Sequence, residues 1–161
     1  MFVEAAGIIL LATLLYSVLE KQNKVASRYA FGLWIAESIS LVIRSISAFA
    51  LMNISLEFAN ASFPMDSHFQ TLGVMFSLLT QLSYTSLMVF YCIGGMIFCY
   101  LFFRARSIPA IIPAFGMITV ARGFIGTILH FFNIFVPFYV FLPILPFELA
   151  IGIWLLIKGC Y

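Results

Sequence analysis

Residues 29–52 read YAFGLWIAESISLVIRSISAFALM, an apolar stretch of helix length that carries one acid, Glu37, and one base, Arg44. The hydrocarbon core of a bilayer is about 30 Å thick and takes roughly 20 helical residues, each rising about 1.5 Å. The stretch is therefore long enough to cross a membrane. Because an ionised side chain is costly in hydrocarbon, we expect Glu37 and Arg44 to face a protein interior.

The whole chain has the composition of an integral membrane protein. Of its 161 residues, 64% are hydrophobic and only 9% are charged, whereas soluble domains average about 25% charged residues. The net charge of +2, without a long basic stripe, argues against a nucleic-acid partner. The first apolar stretch carries Glu4 and no basic residue before its core, so we expect a retained membrane helix and not a secretory signal peptide.

The apolar stretches predict an all-α, polytopic membrane helix bundle of about five transmembrane helices, forming a single integral membrane domain over residues 1–161. The third apolar stretch begins near Thr71 and is too long for one perpendicular crossing, and a polar patch follows at residues 81–86. We therefore predict an outer interfacial helix before Gln81 and the span after it. One long helix that projects beyond the membrane is the alternative. The predicted spans lie near residues 2–19, 29–52, 81–104, 111–135 and 139–157.

The basic residues at the span ends predict the orientation. In a five-span arrangement they all fall on one side, which the positive-inside rule assigns to the cytoplasm. We therefore expect the N-terminus outside, the C-terminus in the cytoplasm, and membrane lipids around the bundle. The residues concerned are Lys21, Lys24, Arg28, Arg104, Arg106 and Lys158.

Four ionisable residues lie within the predicted spans: Glu37, Arg44, Arg122 and Glu148. The helical rise places Arg122 about 20 Å and Glu148 about 15 Å from the cytoplasmic ends of their spans, so these two side chains can meet. Glu37 and Arg44 are seven residues apart, on one helix face but too distant to pair directly. The set is either a structural ion-pair network that fixes helix register, or a polar cavity for a proton, an ion or a small anion.

Small and polar residues suggest contacts between the helices. Gly126 precedes His130 by about one turn, which leaves room for a flat macrocycle, a haem or chlorophyll-type pigment ligated by the imidazole. The alternative is a hydrogen-bonded polar histidine, and no metal-binding motif is evident. Serines in the second span predict hydrogen bonds either between helices or back to their own backbone: Ser38, Ser40, Ser45 and Ser47. Close helix packing is predicted at Gly94, Gly95, Gly123 and Gly126.

Three segments resemble a family of uncharacterised bacterial multispanning proteins known only as a domain of unknown function. They are VLEKQNKVASRYAFGLWIAE at 18–37, FYCIGGMIFCYLFFRARSIPAIIPAFGM at 90–117 and FELAIGIWLLIKG at 147–159. The resemblance covers most of the chain and implies a membrane bundle in the bacterial cytoplasmic membrane, with no assigned activity. The chain departs from the pattern at Trp34, where such proteins often have an arginine ahead of the acid. Such proteins also tend to begin with additional apolar helices, so we expect a reduced bundle with surface that a partner covers.

The sequence contains no recognised nucleophile–base–acid set, phosphate-binding loop or HExxH motif. The leading hypothesis is an accessory or structural subunit that packs against other membrane proteins, lipids or pigments, with other subunits or as a homo-oligomer. The alternative is a small transporter or an ion- or proton-conducting protein that uses buried Glu/Arg pairs. A third is an intramembrane enzyme with a buried carboxylate as acid or base.

Overall fold

The computed structural model describes residues 2–60, 67–106, 108–132 and 134–158, and these residues form a helical bundle. Four of its helices are long and apolar enough to cross a membrane, and a shorter apolar helix follows them. The predicted all-α membrane bundle is therefore confirmed. In the described ranges the elements are α1 (Phe2–Leu19), α2 (Lys24–Asn60), α3 (Ser67–Ala105), α4 (Ile111–Phe131), a short 3-10 helix (Phe138–Val140) and α5 (Ile144–Lys158).

Proline positions fit the helix starts. Pro113 lies in the first turn of α4 and Pro146 in the first turn of α5, where a missing backbone amide leaves no hydrogen bond unmade. Short connections, Glu20–Asn23 and residues 106–110, join consecutive helices that pack side by side. Helices joined in this way run antiparallel, and Phe58 near the end of α2 packs on Phe69 near the start of α3, so α3 runs back toward the α1–α2 turn. The basic residues of that turn and those at the end of α3 therefore lie at the same end of the bundle.

Helix α3 is continuous through Gln81, so the separate interfacial helix predicted before that residue is not formed. The alternative, a long projecting helix, is the arrangement that the structure has. A single glycine such as Gly73 costs a helix only about 1 kcal/mol, and the first turns of α3 are supported by α2. The rings of Phe58 and Phe69 are 6.2 Å apart, edge to face, so tertiary packing extends the helix past the polar patch.

Helices α2 and α3, with 37 and 39 residues, are each roughly 55–60 Å long, about twice the thickness of the hydrocarbon core. They pack along each other, α1 packs on both, α4 packs on α3, and α5 packs on α4. The far ends of α2 and α3, residues 50–60 and 67–82, are here called the projecting hairpin. The core lies toward the opposite end, where the best-buried side chains include Leu19, Leu101, Phe102 and Val120.

Both predicted roles of the serines in α2 occur. The Ser38 hydroxyl donates to the carbonyl oxygen of Ala5 at 3.0 Å and thereby links α2 to α1. The hydroxyls of Ser40, Ser45 and Ser47 instead donate to backbone carbonyls one turn earlier in α2. Of these four hydrogen bonds, only the one from Ser38 connects two helices.

Candidate functional site

A cavity of about 340 Å³ lies between α1, α2, α3 and α5. Each helix presents residues spaced three or four apart, the spacing that places side chains on one helix face. Helix α1 contributes Glu4, Gly7, Ile8, Leu11 and Leu15, and α2 contributes Trp34 and Glu37. Helix α3 contributes Tyr91, Gly95, Phe98 and Cys99, and α5 contributes Phe147, Glu148, Ile151 and Gly152.

Glu37 is the most enclosed acid of the site. Its side chain is only 5% exposed and lines the cavity, and its Oε2 atom has no hydrogen-bond partner among the described residues. Removing a carboxylate from water costs several kcal/mol unless hydrogen bonds or an opposite charge replace the water. A buried oxygen of this kind, on a residue that lines a cavity, is therefore typical of a site that receives something from outside the chain.

Two further acids share the cavity with Glu37. Glu148, on α5, lies where the Tyr91 hydroxyl can donate a hydrogen bond to its carboxylate. Glu4 lies in the first turn of α1. None of the described lining residues is lysine, arginine or histidine, so the carboxyl groups of this cavity have no basic side chain beside them in its described lining.

Aromatic rings form the wall beside Glu37. The Trp34 indole stacks with the Tyr91 ring at 6.3 Å between centroids and meets Phe98 edge to face at 4.9 Å. Its Nε1 atom is buried against Gly94 of α3, without a hydrogen-bond partner among the described residues. The indole lies so close to α3 that a Cβ atom added at Gly94 would be 2.5 Å from Trp34 Cδ1, so only glycine allows this packing.

The two arginines of the predicted set lie apart from the cavity. The Arg122 Nη2 atom donates to the backbone oxygen of Tyr139 at 3.1 Å, and the Arg44 guanidinium lies over the Tyr84 ring, 4.8 Å from its centroid. Within the described part of the chain, these contacts connect neither arginine to Glu37 or Glu148. The structure brings together the two acids of the predicted set and places the two bases elsewhere, because similar depth in the membrane does not fix which way a helix face points.

The predicted packing glycines lie at helix contacts of different tightness. A Cβ atom at Gly123 would be 3.0 Å from Ile144 Cδ1, whereas one at Gly95 would make ordinary contact with Val120. The space beside Gly126 is occupied by side chains of Val136, Val140 and Phe141. This filling removes the room that the sequence predicted for a flat macrocycle next to His130, which lies in the last turn of α4.

Sequence reasoning missed Glu4, Tyr91 and the role of Trp34. Glu4 stands near a helix end, where an acid needs no special explanation, and Trp34 and Tyr91 look like ordinary interfacial or packing aromatics. The available signal was helical spacing: Trp34 precedes Glu37 by three residues, and Tyr91, Gly95 and Cys99 recur at four. Neither pattern identifies the facing helix, which only the fold supplies.

Comparison with known proteins supports the architecture described above. No curated protein and no solved structure matches the chain. A family model described as "Domain of unknown function (DUF4386)" matches residues 1–159, nearly the whole sequence. A match of this extent, on a chain that folds into a membrane-type helical bundle, shows that the chain belongs to this family.

Proposed function

We propose that the protein is a small membrane transporter or ion-conducting protein, and that its acid-lined cavity binds a proton or another cation. The observation that carries the proposal is the buried Glu37 side chain, which lines a cavity without basic lining residues and whose Oε2 atom has no hydrogen-bond partner, both within the described chain. A carboxylate in such surroundings needs either a proton or a cation.

The depth of the three acids supports a site near the middle of the bilayer. Glu4 lies at about the level of Glu37, because the next residue, Ala5, accepts a hydrogen bond from Ser38. Glu37 lies about 12 Å from the inner end of its span at Tyr29, and Glu148 lies about 15 Å from Lys158, by the helical rise. Binding sites near the middle of the bilayer are the usual arrangement in membrane transporters.

The test is cation flux through purified protein in liposomes. Proton uptake would be followed with an entrapped pH-sensitive dye, and uptake of a monovalent cation with a radioactive tracer, both driven by an imposed membrane potential. We expect Glu37→Gln to reduce flux by about tenfold or more, because a bond to a charged group contributes roughly 1.5–3 kcal/mol.

Glu57→Gln is the matched control, since Glu57 is an exposed acid on the same helix, α2, within the projecting hairpin. Its flux should equal that of the unaltered protein. Thermal unfolding of both variants in detergent establishes that they are folded. Equal flux in the two variants contradicts the proposal, and so does the absence of flux of every cation tested through the unaltered protein.

A second candidate function rests on a different observation, the projecting hairpin. Helices α2 and α3 are each longer than the hydrocarbon core is thick, yet their far ends, the projecting hairpin, present large apolar side chains on the surface. We propose accordingly that the protein is an accessory subunit whose hairpin packs against another membrane protein. The exposed side chains are Met52, Leu56, Leu72, Val74, Met75, Leu78, Leu79 and Leu82.

Purification from the native membrane in a mild detergent tests this second candidate. Mass spectrometry should identify a co-purifying protein, and replacing Met75 and Leu78 with glutamine should release it. An absorption spectrum of the same material shows whether a pigment accompanies it. A solitary monomer, with unaltered and substituted chains behaving alike, argues against the accessory role.

A further inference from the structure

The cavity has an open side between α1 and α5. Both helices line it, but within the described residues the backbone of α1 approaches only α2 and α3, whereas that of α5 approaches α4, and no Cα atom of α1 lies within 8 Å of one in α5. Gly7 of α1 and Gly152 of α5 both line the cavity, and a Cβ atom at either position would meet nothing within 4 Å. The gap between these helices therefore joins the cavity to the side of the bundle that faces lipid.

We propose that the cavity binds a lipophilic organic cation, an amine or quaternary ammonium with a compact apolar body, which enters from the bilayer between α1 and α5. This inference rests on the proposed function and names its ligand class. Three features of the site support it: the acids in its lining, the apolar and aromatic character of its wall, and the burial of Glu37 beside it.

The acidic side chains in the lining favour a cation as the ligand. Glu4, Glu37 and Glu148 line the cavity, and no basic residue of the described chain does. An anion would meet three acids without a counter-charge, at a cost that low-dielectric surroundings increase. A cation instead supplies the opposite charge that the buried Glu37 side chain does not find among the lining residues of the described chain.

The apolar and aromatic lining favours an organic cation over a small inorganic one. Most of the lining is apolar, and the aromatic rings of Trp34, Phe98 and Phe147 are part of it. A small inorganic cation requires a shell of several oxygen ligands, whereas an alkylammonium ion tolerates apolar neighbours and is attracted to aromatic faces. A volume of about 340 Å³ lies within the range of roughly 300–1,000 Å³ that is typical of small-molecule pockets.

The burial of Glu37 indicates that the acids belong to a binding site. Glu37 is 95% buried and lines the cavity, yet its Oε2 atom has no hydrogen-bond partner among the described residues. Because buried polar groups in proteins are nearly always hydrogen-bonded, such an oxygen on a residue beside a cavity indicates a bound species that completes it.

The binding test uses benzyltrimethylammonium and its uncharged isostere, neopentylbenzene, with purified protein in lipid nanodiscs. Equilibrium dialysis against empty nanodiscs separates specific binding from partition into lipid. We expect saturable binding of the cation alone and a loss of about thirtyfold in affinity for Glu37→Gln, the effect of removing one partner of a buried charge pair. The control Glu57→Gln should bind as the unaltered protein does.

Equal binding of the isostere would overturn the proposal, because the site would then be merely apolar. Unchanged affinity in a folded Glu37→Gln variant would overturn it as well. If that variant does not fold, Glu148→Gln takes its place and should weaken binding in the same direction. If Glu148→Gln binds the cation as tightly as the control Glu57→Gln does, that result would contradict the proposed cation site.

The lateral entrance has its own test. Gly7→Phe and Gly152→Phe place a bulky ring in the open gap and should slow association of the cation by about tenfold. Stopped-flow tryptophan fluorescence would follow the reaction in a Trp154→Phe background. Gly32→Phe is the matched control, because Gly32 also has open space around its Cβ position and does not line the cavity. Equal association rates in all three variants would exclude entry between α1 and α5.

These measurements separate the inference from the function on which it rests. Proton flux that depends on Glu37, without binding of benzyltrimethylammonium, would leave the transport proposal standing and overturn the organic-cation ligand. Binding that depends on Glu37, without flux of any cation including the probe, would support the ligand and contradict transport.

Discussion

The two halves of the α2–α3 pair differ in what surrounds them. Toward the basic end, α1, α4 and α5 cover the pair, and polar groups such as Glu37 and Tyr91 are buried among them. In the projecting hairpin the same two helices expose Leu56, Met75 and Leu78. Both halves are apolar in sequence, so burial of a polar group depends on the neighbouring helices and not on the local sequence. The covered half therefore holds the candidate site.

The largest expected difference between the halves comes from adding volume to a glycine of α3. Gly94→Leu would force the side chain against the Trp34 indole and the backbone oxygen of Ala30. Overpacking of this kind costs about 3 kcal/mol, more than a hundredfold in the folding equilibrium. The free energy of unfolding would be measured by steric trapping in detergent micelles.

Gly73→Leu is the matched change in the projecting hairpin, where a Cβ atom meets nothing within 4 Å. Leucine has the higher helix propensity, so this variant should be stabilised by up to about 1 kcal/mol. Similar destabilisation in both variants would show that the two halves are packed alike and would remove the basis of the comparison.

Thiol accessibility is expected to differ by more than about tenfold between the halves. Met75 is 61% exposed in the projecting hairpin, whereas Cys92 and Cys99 are buried in the bundle. A Met75→Cys variant, in a Cys160→Ser background, should react with a membrane-impermeant maleimide in intact vesicles. Reaction no faster than that of the two native thiols would place the hairpin inside the membrane or beneath a partner.

Much of the fold could be predicted from the sequence, because an apolar stretch long enough to cross a bilayer as a helix is typical of a transmembrane segment. Continuity of α3 through Gln81 could not, since the polar residues there give a local signal that packing of Phe58 on Phe69 overrides. Glu37 and Glu148 stood out as charges in apolar sequence. Whether they face Glu4 depends on how each helix is rotated about its own axis, and no periodic pattern in a single sequence specifies that rotation.

The arginines illustrate the same limit. Depth along the membrane normal follows from counting residues, so Arg122 and Glu148 were expected to meet. In the structure Arg122 extends to the backbone of Tyr139, because its long side chain can reach a carbonyl at the end of the bundle. A flexible arginine side chain has several hydrogen-bond acceptors within reach, and the sequence does not indicate which of them it binds.

A smaller effect is expected at the boundary between the two halves, where Arg44 lies over the Tyr84 ring. Tyr84→Leu should lower the free energy of unfolding by about 1 kcal/mol, the value of a partly desolvated cation–π contact. Tyr100→Leu, which alters an exposed tyrosine of the same helix, is the control. Equal effects of the two changes would mean that the Arg44 contact contributes nothing to stability.

The smallest expected effect distinguishes a hydrogen bond between helices from one within a helix. Ser38→Ala removes the bond from α2 to the Ala5 carbonyl and should cost about 0.6 kcal/mol, the average for such bonds in membrane proteins. Ser55→Ala, in the projecting hairpin, removes only a bond to the Leu51 carbonyl of the same helix and should cost nothing measurable. Because α1 carries Glu4 and Gly7 to the cavity, weaker attachment through Ser38 should also weaken cation binding, whereas Ser55→Ala should leave binding unchanged. Equal stability and equal binding in the two variants would show that the position of α1 does not depend on this bond.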